Sequence, residues 1–582
     1  MTKLTLNWNG ISKLEDWMKK YYFAIVDEFG DKSFTAEDFE NALKKRGLEI
    51  ENVNKVISAL KKVGLLKAKE DPRDARRKIY QLVFETYEEK KPTREDLIRL
   101  LKNCADLIRT AVDYKVLLLF LFYKVVSDKW NKIVERYLKD GFSEEQAYFM
   151  ANTEYITLYD EQEGKLYTWH EVVKSRETIS EMANAIIKIS RMNERLQDLQ
   201  KLVERLGLLG FITEENMHIL EGLIEQFNRY DFSEVDYDAI GDAYQWILSY
   251  FAPQKAKEGE TYTPREVIRL IVELLFADTV EIDRINGVLD PACGSGAMLI
   301  EAYDYAKEKT GKADFRLIGQ ERNEIMGVIA KMNLILHGIT TDWEVYIGDS
   351  LRNPQFNNAD YVLANPPWNQ DGYDEKVLGE PQTKKYYPFG FPPKTTADWA
   401  WIQLMLYFAN KKVGIVLDQG ALFRGGKERN IRKKVVGTDL VEAVILLPEK
   451  LFYNTGAPGV VIIFNREKDE NRKGKILFIN ASNEYEQHPE VRRLNRLKNI
   501  DKIVEVYREF KDVEGFSKVV SLDEVKKNDY NLNVTLYVMP IEVGEKIDVV
   551  KEWEELRRLE NERVELIEKI EKYVEEIAKL GD

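Results

Sequence analysis

The sequence predicts an α/β fold for its larger part, a doubly wound and largely parallel sheet. From about residue 262, short apolar runs alternate with helical stretches. Residues 92–250 are patterned almost wholly as helix, and the first 85 read as helices followed by two strand-like pieces. A chain of 582 residues exceeds one ordinary core, so about three or four domains are expected. No internal repeat or low-complexity segment is visible.

The first domain, residues 1–90, reads as a helix, a second helix starting near Thr35 and a third from Glu51 to Val63. Two strand-like pieces follow, Leu65–Lys69 and Lys78–Phe84, flanking a charged turn with Pro72. That order resembles a winged helix, a module that meets either DNA or protein. Residues 91–250 form the helical domain, with apolar spacing at Leu97, Leu100 and Leu101, the run from Val116, and Met217 to Phe227.

The α/β domain is expected over residues 251–480. Its strand-like runs are Gly287–Leu289, Arg316–Gly319, Val345–Ile347, Tyr361–Ala364, Val413–Leu417, Val441–Leu447 and Val460–Phe464. Residues 481–582 are expected to form a helical tail. Trp553, Leu556, Ile567, Ile570, Val574 and Ile577 give its last helix coiled-coil-like spacing, as in an arm that contacts a partner subunit.

Hydrophobic residues at 44% and charged residues at 32% suit a globular protein. The longest apolar run, Val116 to Tyr123, is far too short to cross a bilayer, and the N-terminus lacks a basic-then-apolar export pattern. A cytoplasmic protein with no membrane partner is expected. Cys104 and Cys293, the only cysteines, cannot build a disulfide framework or a four-cysteine zinc site, and no metal is expected. The formal net charge of −14 argues against a protein that coats nucleic acid, yet binding needs only a local patch. Residues 61–78 carry eight Lys or Arg against three acids, and residues 422–434 carry six against one.

In doubly wound sheets ligands bind beyond the carboxyl ends of the strands, so chemistry is sought just after each run. The first run ends in Asp290-Pro291-Ala292-Cys293-Gly294-Ser295-Gly296, before a helix from Ala297. Glycines at that turn allow close approach of a ligand to backbone, and a helix N-terminus favours an electron-rich group. A dinucleotide site would carry a third glycine where Leu299 stands, and no phosphate-binding Gly-x-x-x-x-Gly-Lys-Ser/Thr loop exists. The second run leads to Glu321, thirty-one residues after Asp290, where an acid can accept both ribose hydroxyls of a nucleoside. The third ends at Gly348-Asp349-Ser350-Leu351, where Asp349 can accept from an adenine amino group.

The fourth run ends in Asn365-Pro366-Pro367-Trp368. A purine amino group is a poor nucleophile because its lone pair is delocalised into the ring. The Asn365 side-chain oxygen and the Pro366 carbonyl can both accept its N–H bonds, favouring a pyramidal nitrogen that can attack a methyl sulfonium. Rigid prolines fix the carbonyl direction, and Trp368 offers a face for an extruded base.

Asp-Pro-x-x-Gly-x-Gly followed by Asn-Pro-Pro-aromatic resembles the amino-methyltransferases, which use S-adenosylmethionine in a Rossmann-like fold. The resemblance to modification subunits of type I restriction–modification systems is closer. It rests on Gly241-Asp242-Ala243-Tyr244 through Phe251-Ala252, Tyr262-Thr263-Pro264-Arg265-Glu266-Val267, Pro392-Pro393-Lys394 with Asp398-Trp399-Ala400-Trp401, Gly420 to Gly426, Ile431 to Lys434, Phe452-Tyr453-Asn454-Thr455-Gly456 and Asp529 to Asn533. It spans about residues 92–540. Trp368 stands where the family usually has Phe, Asp418-Gln419 replaces a usual Pro-Asn pair, and Thr535-Leu536 stands where an Arg is usual.

The resemblance implies that Tyr262, Thr263, Pro264, Asp290, Ala292, Gly294, Ser295 and Gly296 cradle the methionine part of S-adenosylmethionine. It assigns Glu321 to the ribose, and Asp349 with Ser350 to the cofactor adenine. Asn365, Pro366, Pro367 and Trp368 would grip a flipped adenine for methylation at N6. About 130 residues follow Thr455, leaving no room for a recognition domain of usual size. Double-stranded DNA is therefore expected to be read by a separate specificity subunit. Two modification subunits are expected per complex, and a restriction subunit is an additional partner. Rival readings are a stand-alone adenine methyltransferase, a protein glutamine methyltransferase and a non-enzymatic DNA-binding protein.

Overall fold

Strands β1 (Gly287–Asp290), β2 (Arg316–Glu321), β3 (Trp343–Ile347), β4 (Ala359–Ala364), β5 (Ala409–Asp418), β6 (Val441–Leu446), β7 (Gly459–Asn465), β8 (Lys475–Asn480) and β9 (Ser517–Ser521) form one sheet. Its order is β3-β2-β1-β4-β5-β7-β6-β8-β9. In this computed structural model the described residues are 3–6, 13–30, 32–48, 50, 52–71, 74–87, 91–108, 112–173, 178–208, 214–255, 262–452, 455–488, 494–539 and 549–579. Pro72 of the expected charged turn and the Tyr453-Asn454 pair lie outside them.

The run from β3 to β5 is parallel throughout, and β6 pairs parallel with β8. Strand β7 is antiparallel to both β5 and β6, and β9 is antiparallel to β8. The sheet is therefore mixed, with its parallel part on the side of β1. Strands β1, β4, β6 and β7 are buried along their whole length, which explains their nearly continuous Val, Ile and Leu.

Alternation places Val288 and Leu317 in the core on one face, and Leu289 and Ile318 in the core on the other. Helices α1 (Arg265–Phe276), α2 (Ala297–Thr310) and α3 (Glu324–Leu336) cover the first face. Helices α4 (Asp398–Phe408) and α5 (Gly426–Val436) cover the second. Connections leave β1 toward β2 and arrive at β4 on its other side, so the topological switch point lies between β1 and β4.

All seven expected runs coincide with strands of this sheet. Strands β8 and β9 were not anticipated. The expected helical tail from residue 481 also contains β9 and the antiparallel pair Tyr485–Gln487 and Asn495–Leu497. The edge strand β9 (Ser-Lys-Val-Val-Ser) is too short and polar for periodicity to reveal. The last helix, Val549–Lys579, has every described side chain from Trp553 to Lys572 exposed.

The helical block shares the core of the first sheet face: Leu97, Phe120, Trp169 and Ile186 are continuous with α1–α3. Residues 14–84 enclose a separate core around Tyr22, Phe34, Phe39 and Leu60. Its helices are Asp16–Phe29, Ala36–Lys45 and Val53–Lys62; its hairpin strands are Leu66–Asp71 and Asp74–Leu82. Thr35 and Asp38 form a capping box on the second helix, and Asn52 caps the third. An antiparallel bridge from Phe34 to Tyr80 ties the first loop to the hairpin. Among the described residues no helix is long and apolar enough to cross a membrane.

Helix α1 lies tightly on β5 at Gly414, where an added Cβ would meet Ile271 Cγ2 at 3.0 Å and Leu275 Cγ at 3.3 Å. Gly414→Val is expected to overpack this contact and lower stability by about 1–3 kcal/mol. Urea unfolding should show a lower midpoint with an unchanged slope, and an unchanged midpoint would refute the close-packing account.

Candidate active site

The carboxyl ends of β1–β4 open on one cavity of about 870 Å³. Asp290, the last residue of β1, is buried and accepts from Ala292 N at 3.0 Å. Gly294 and Gly296 take φ of +52° and +79°, values that suit glycine, and so turn the chain from β1 into α2. A Cβ on Gly294 would meet nothing within 4 Å, whereas one on Gly296 would meet Ala330 Cβ at 3.4 Å. Bare backbone at Gly294 thus borders the cavity, and Gly296 serves the packing of α2 on α3.

Glu321, at the end of β2, accepts from Gly294 N at 2.9 Å and from Asn323 N at 2.7 Å. Burial pushes its carboxyl above the usual carboxylate range. Burial, reinforced by Glu321, pushes Asp290 up to about 8. Among the described residues no cation pairs with Asp290. A buried carboxyl without a counter-ion, facing a cavity of this size, fits a ligand that brings a positive charge.

After β3, Asp349 accepts from Tyr373 Oη at 2.8 Å, and Arg322 Nη1 donates to the same phenol oxygen at 2.9 Å. Ser350 Oγ donates to the Pro291 carbonyl at 2.6 Å, locking this loop to the glycine turn. After β4, Asn365 Nδ2 donates to Thr263 Oγ1 at 2.8 Å, while its Oδ1 accepts from Trp368 Nε1 at 2.9 Å. One Oδ1 lone pair remains for another donor. Trp368 packs edge-on against Phe452, ring centroids 4.6 Å apart.

Tyr262, Thr263, Pro264, Asp290, Ala292, Gly294, Ser295, Glu321, Asp349, Ser350, Asn365 and Pro367 all line the cavity. Gly296, Pro366 and Trp368 are not in its lining: Pro366 is buried in the turn, and Trp368 stands beside it against Phe452.

The family model described as N-6 DNA Methylase matches residues 235–546, and that of the HsdM N-terminal domain matches residues 97–227. The chain belongs to the N-6 DNA methylase family. It is 59% identical to the type I restriction enzyme MjaVII methylase subunit of Methanocaldococcus jannaschii, across 98% of this chain and 99% of that protein. The MjaVIII methylase subunit of the same organism is 52% identical, over 97% and 99% of the two chains. A solved type I restriction-modification system methyltransferase subunit from Streptococcus thermophilus superposes with a TM-score of 0.66 at 27% identity, covering 77% of this chain and all of that one.

Several groups that build the methylase's site escaped sequence reasoning. Asp398 is fully buried and accepts from Asn369 N at 3.0 Å and Arg424 Nη2 at 2.6 Å, while Arg424 Nη1 reaches Asn369 Oδ1 at 2.9 Å. This bridge fastens the turn after Trp368 to the loop after β5. Both residues lay in motifs quoted above, but pairing across 26 positions is invisible to a one-dimensional pattern. Tyr114 Oη meets Tyr262 Oη at 2.6 Å, joining the helical block to the segment at the cavity edge. No sequence signal marks Tyr373 or Tyr114.

A cationic ligand is expected to draw the proton off Asp290. Because the free carboxyl titrates at about 8, binding below that pH releases a proton, so affinity rises with pH and levels above about 8. Calorimetric titration with S-adenosylmethionine across pH about 6 to 9 should show this slope, and Asp290→Asn should flatten it. An unaltered slope in that variant would remove Asp290 from the explanation. At Gly459 an added Cβ would lie 2.6 Å from Phe452 Cε2 and 3.1 Å from Trp368 Cη2. Gly459→Ala is expected to displace Trp368 and cut turnover about tenfold or more while the fold persists. Wild-type turnover would mean that Trp368 placement is unimportant.

Proposed function

We propose that this chain methylates N6 of an adenine flipped out of double-stranded DNA, as the modification subunit of a type I restriction–modification complex. The observation that carries the reading is one cavity lined by both carboxyls, Asp290 and Glu321, and by Asn365 and Pro367 of the turn after β4. S-adenosylmethionine, held there, supplies an electrophilic methyl on a sulfonium. Tyr262, Thr263, Pro264, Ala292, Gly294, Ser295 and Asp290 cradle its methionine part, with Gly296 shaping the turn. Glu321 takes the ribose, and Asp349 with Ser350 takes the adenine end.

The remaining Oδ1 lone pair of Asn365 and the Pro366 carbonyl accept the two N–H bonds of the target amine. Those bonds draw its lone pair out of conjugation with the purine. Pro367 stiffens the turn and Trp368 stacks on the extruded base. Positioning and hydrogen bonding do the work.

The domain scheme belongs to the same reading: a winged-helix domain at 1–90, the helical domain at 91–250 and a Rossmann-like domain from 251. A C-terminal helical arm contacts the partner. The exposed stripe of Trp553, Leu556, Ile567 and Ile570 supports that arm, since an amphipathic helix with its apolar side in water is short of a partner. A separate specificity subunit reads the sequence, with two modification subunits in the assembly.

Transfer of labelled methyl to duplex DNA tests the reading, with this chain alone and with the products of neighbouring genes. Label at adenine N6 is expected only with the partner present, and Asn365→Ala should lower it by about a hundredfold or more. Label with the chain alone would make it a stand-alone enzyme. No label on DNA, despite cofactor binding, would overturn the assignment.

A further inference from the structure

Two basic runs stand out in this acidic chain, and the structure treats them differently. In the run at 422–434 the arginines are committed internally. Arg424 binds Asp398, Arg429 pairs with Asp529, and buried Arg432 donates to the carbonyls of Tyr530 and Arg424 at 2.8 and 2.9 Å. The described cations of the run at 61–78 are not. Lys61 and Lys62 end the third helix of the N-terminal domain, and Lys67, Lys69, Arg77 and Lys78 lie on its hairpin; all six are exposed.

None of the six has a carboxylate within ion-pair distance among the described residues. The neighbouring helix uses its lysines otherwise: Lys44 pairs with Glu40 at 2.8 Å and Lys45 with Glu28 at 3.0 Å. Residues 52–82 carry nine Lys or Arg against three acids, in a chain whose formal net charge is −14. Strand alternation puts Lys67 and Lys69 on one side of the hairpin, opposite buried Leu66. The third helix, with three lysines and no acid, leads through Gly64 straight into that hairpin.

We propose that the third helix and hairpin of the N-terminal domain grip the phosphate backbone of duplex DNA outside the methylation target. Exposed cations without carboxylate partners, gathered on a helix and a hairpin, are what a polyanion surface requires. The choice of duplex DNA rests on the methyltransferase reading above. The contact adds affinity without reading sequence, and it draws on residues that precede the family matches, which begin at 97.

The test uses the full chain and a fluorescein-labelled duplex of arbitrary sequence, about 40 base pairs long, read by anisotropy across a salt series. The variant is Lys61→Gln, Lys62→Gln, Lys67→Gln and Arg77→Gln together; the control is Lys44→Gln with Lys45→Gln. The fourfold variant is expected to weaken binding about tenfold or more and to flatten the slope of log affinity against log salt by about three. The control should match the parent. Equal binding and equal slope in variant and parent overturn the proposal. So does a loss confined to an RNA duplex or an acidic protein. With the partner subunit added and a duplex that carries its site, saturating duplex should restore the variant's turnover, whereas Asn365→Ala should bind duplex normally without turnover. Failure of this contact and failure of the methyltransferase reading are therefore separable.

Discussion

The parallel pairing of β1 with β2 on one side and β4 on the other is the constraint on which the site depends. Leu289 stands opposite Ile318 and Val362, so three strands end at nearly one level. Parallel neighbours discharge their carboxyl-terminal loops on the same edge, which antiparallel neighbours cannot do. Asp290, Glu321 and Asn365 thus meet around one cavity although 75 residues separate the first from the last. Strand β7, antiparallel to β5, brings its first residue, Gly459, to this same edge beside Trp368.

Buried charges serve two purposes that their pairing separates. Lys124 and Asp128 are both buried and bonded at 2.6 Å, with His170 at 3.1 Å from the same carboxylate, and Asp128 also accepts from Phe232 N. Lys412 and Arg472 both reach Asp278, while Arg472 and Tyr507 hold buried Glu442. In these networks every charge has a counter-charge, so they fasten segments together. Asp290 is held in the opposite condition, desolvated and without a cation. Among the described residues no cation offsets that desolvation, a condition that suits a ligand bringing positive charge.

The helical block is fastened to the catalytic sheet by polar contacts at its margin: Lys331 with Asp198 at 2.7 Å, Lys201 with Glu324 at 3.1 Å, and Tyr114 with Tyr262. The last reaches the cavity within one residue of Thr263, which itself orients the Asn365 carboxamide. The helical block is thereby linked to the Asn-Pro-Pro turn through Tyr114, Tyr262 and Thr263.

Residue types and their order determined the α/β class, seven of the nine strands, the glycine turn and the Asn-Pro-Pro-Trp turn. Each of these is local: a run of buried apolar residues, a positive φ, a rigid imide. The two strands that escaped notice, β8 and β9, lie at the far edge, where apolar content is brief or diluted by Lys and Ser. Only the tertiary structure decided that Asn365 is held between Thr263 and Trp368, that Asp398 and Arg424 brace the turn, and that the arginines of one basic run are spent on internal partners. Pairings across tens to hundreds of positions follow from sheet register and helix packing, and both depend on the whole chain being folded.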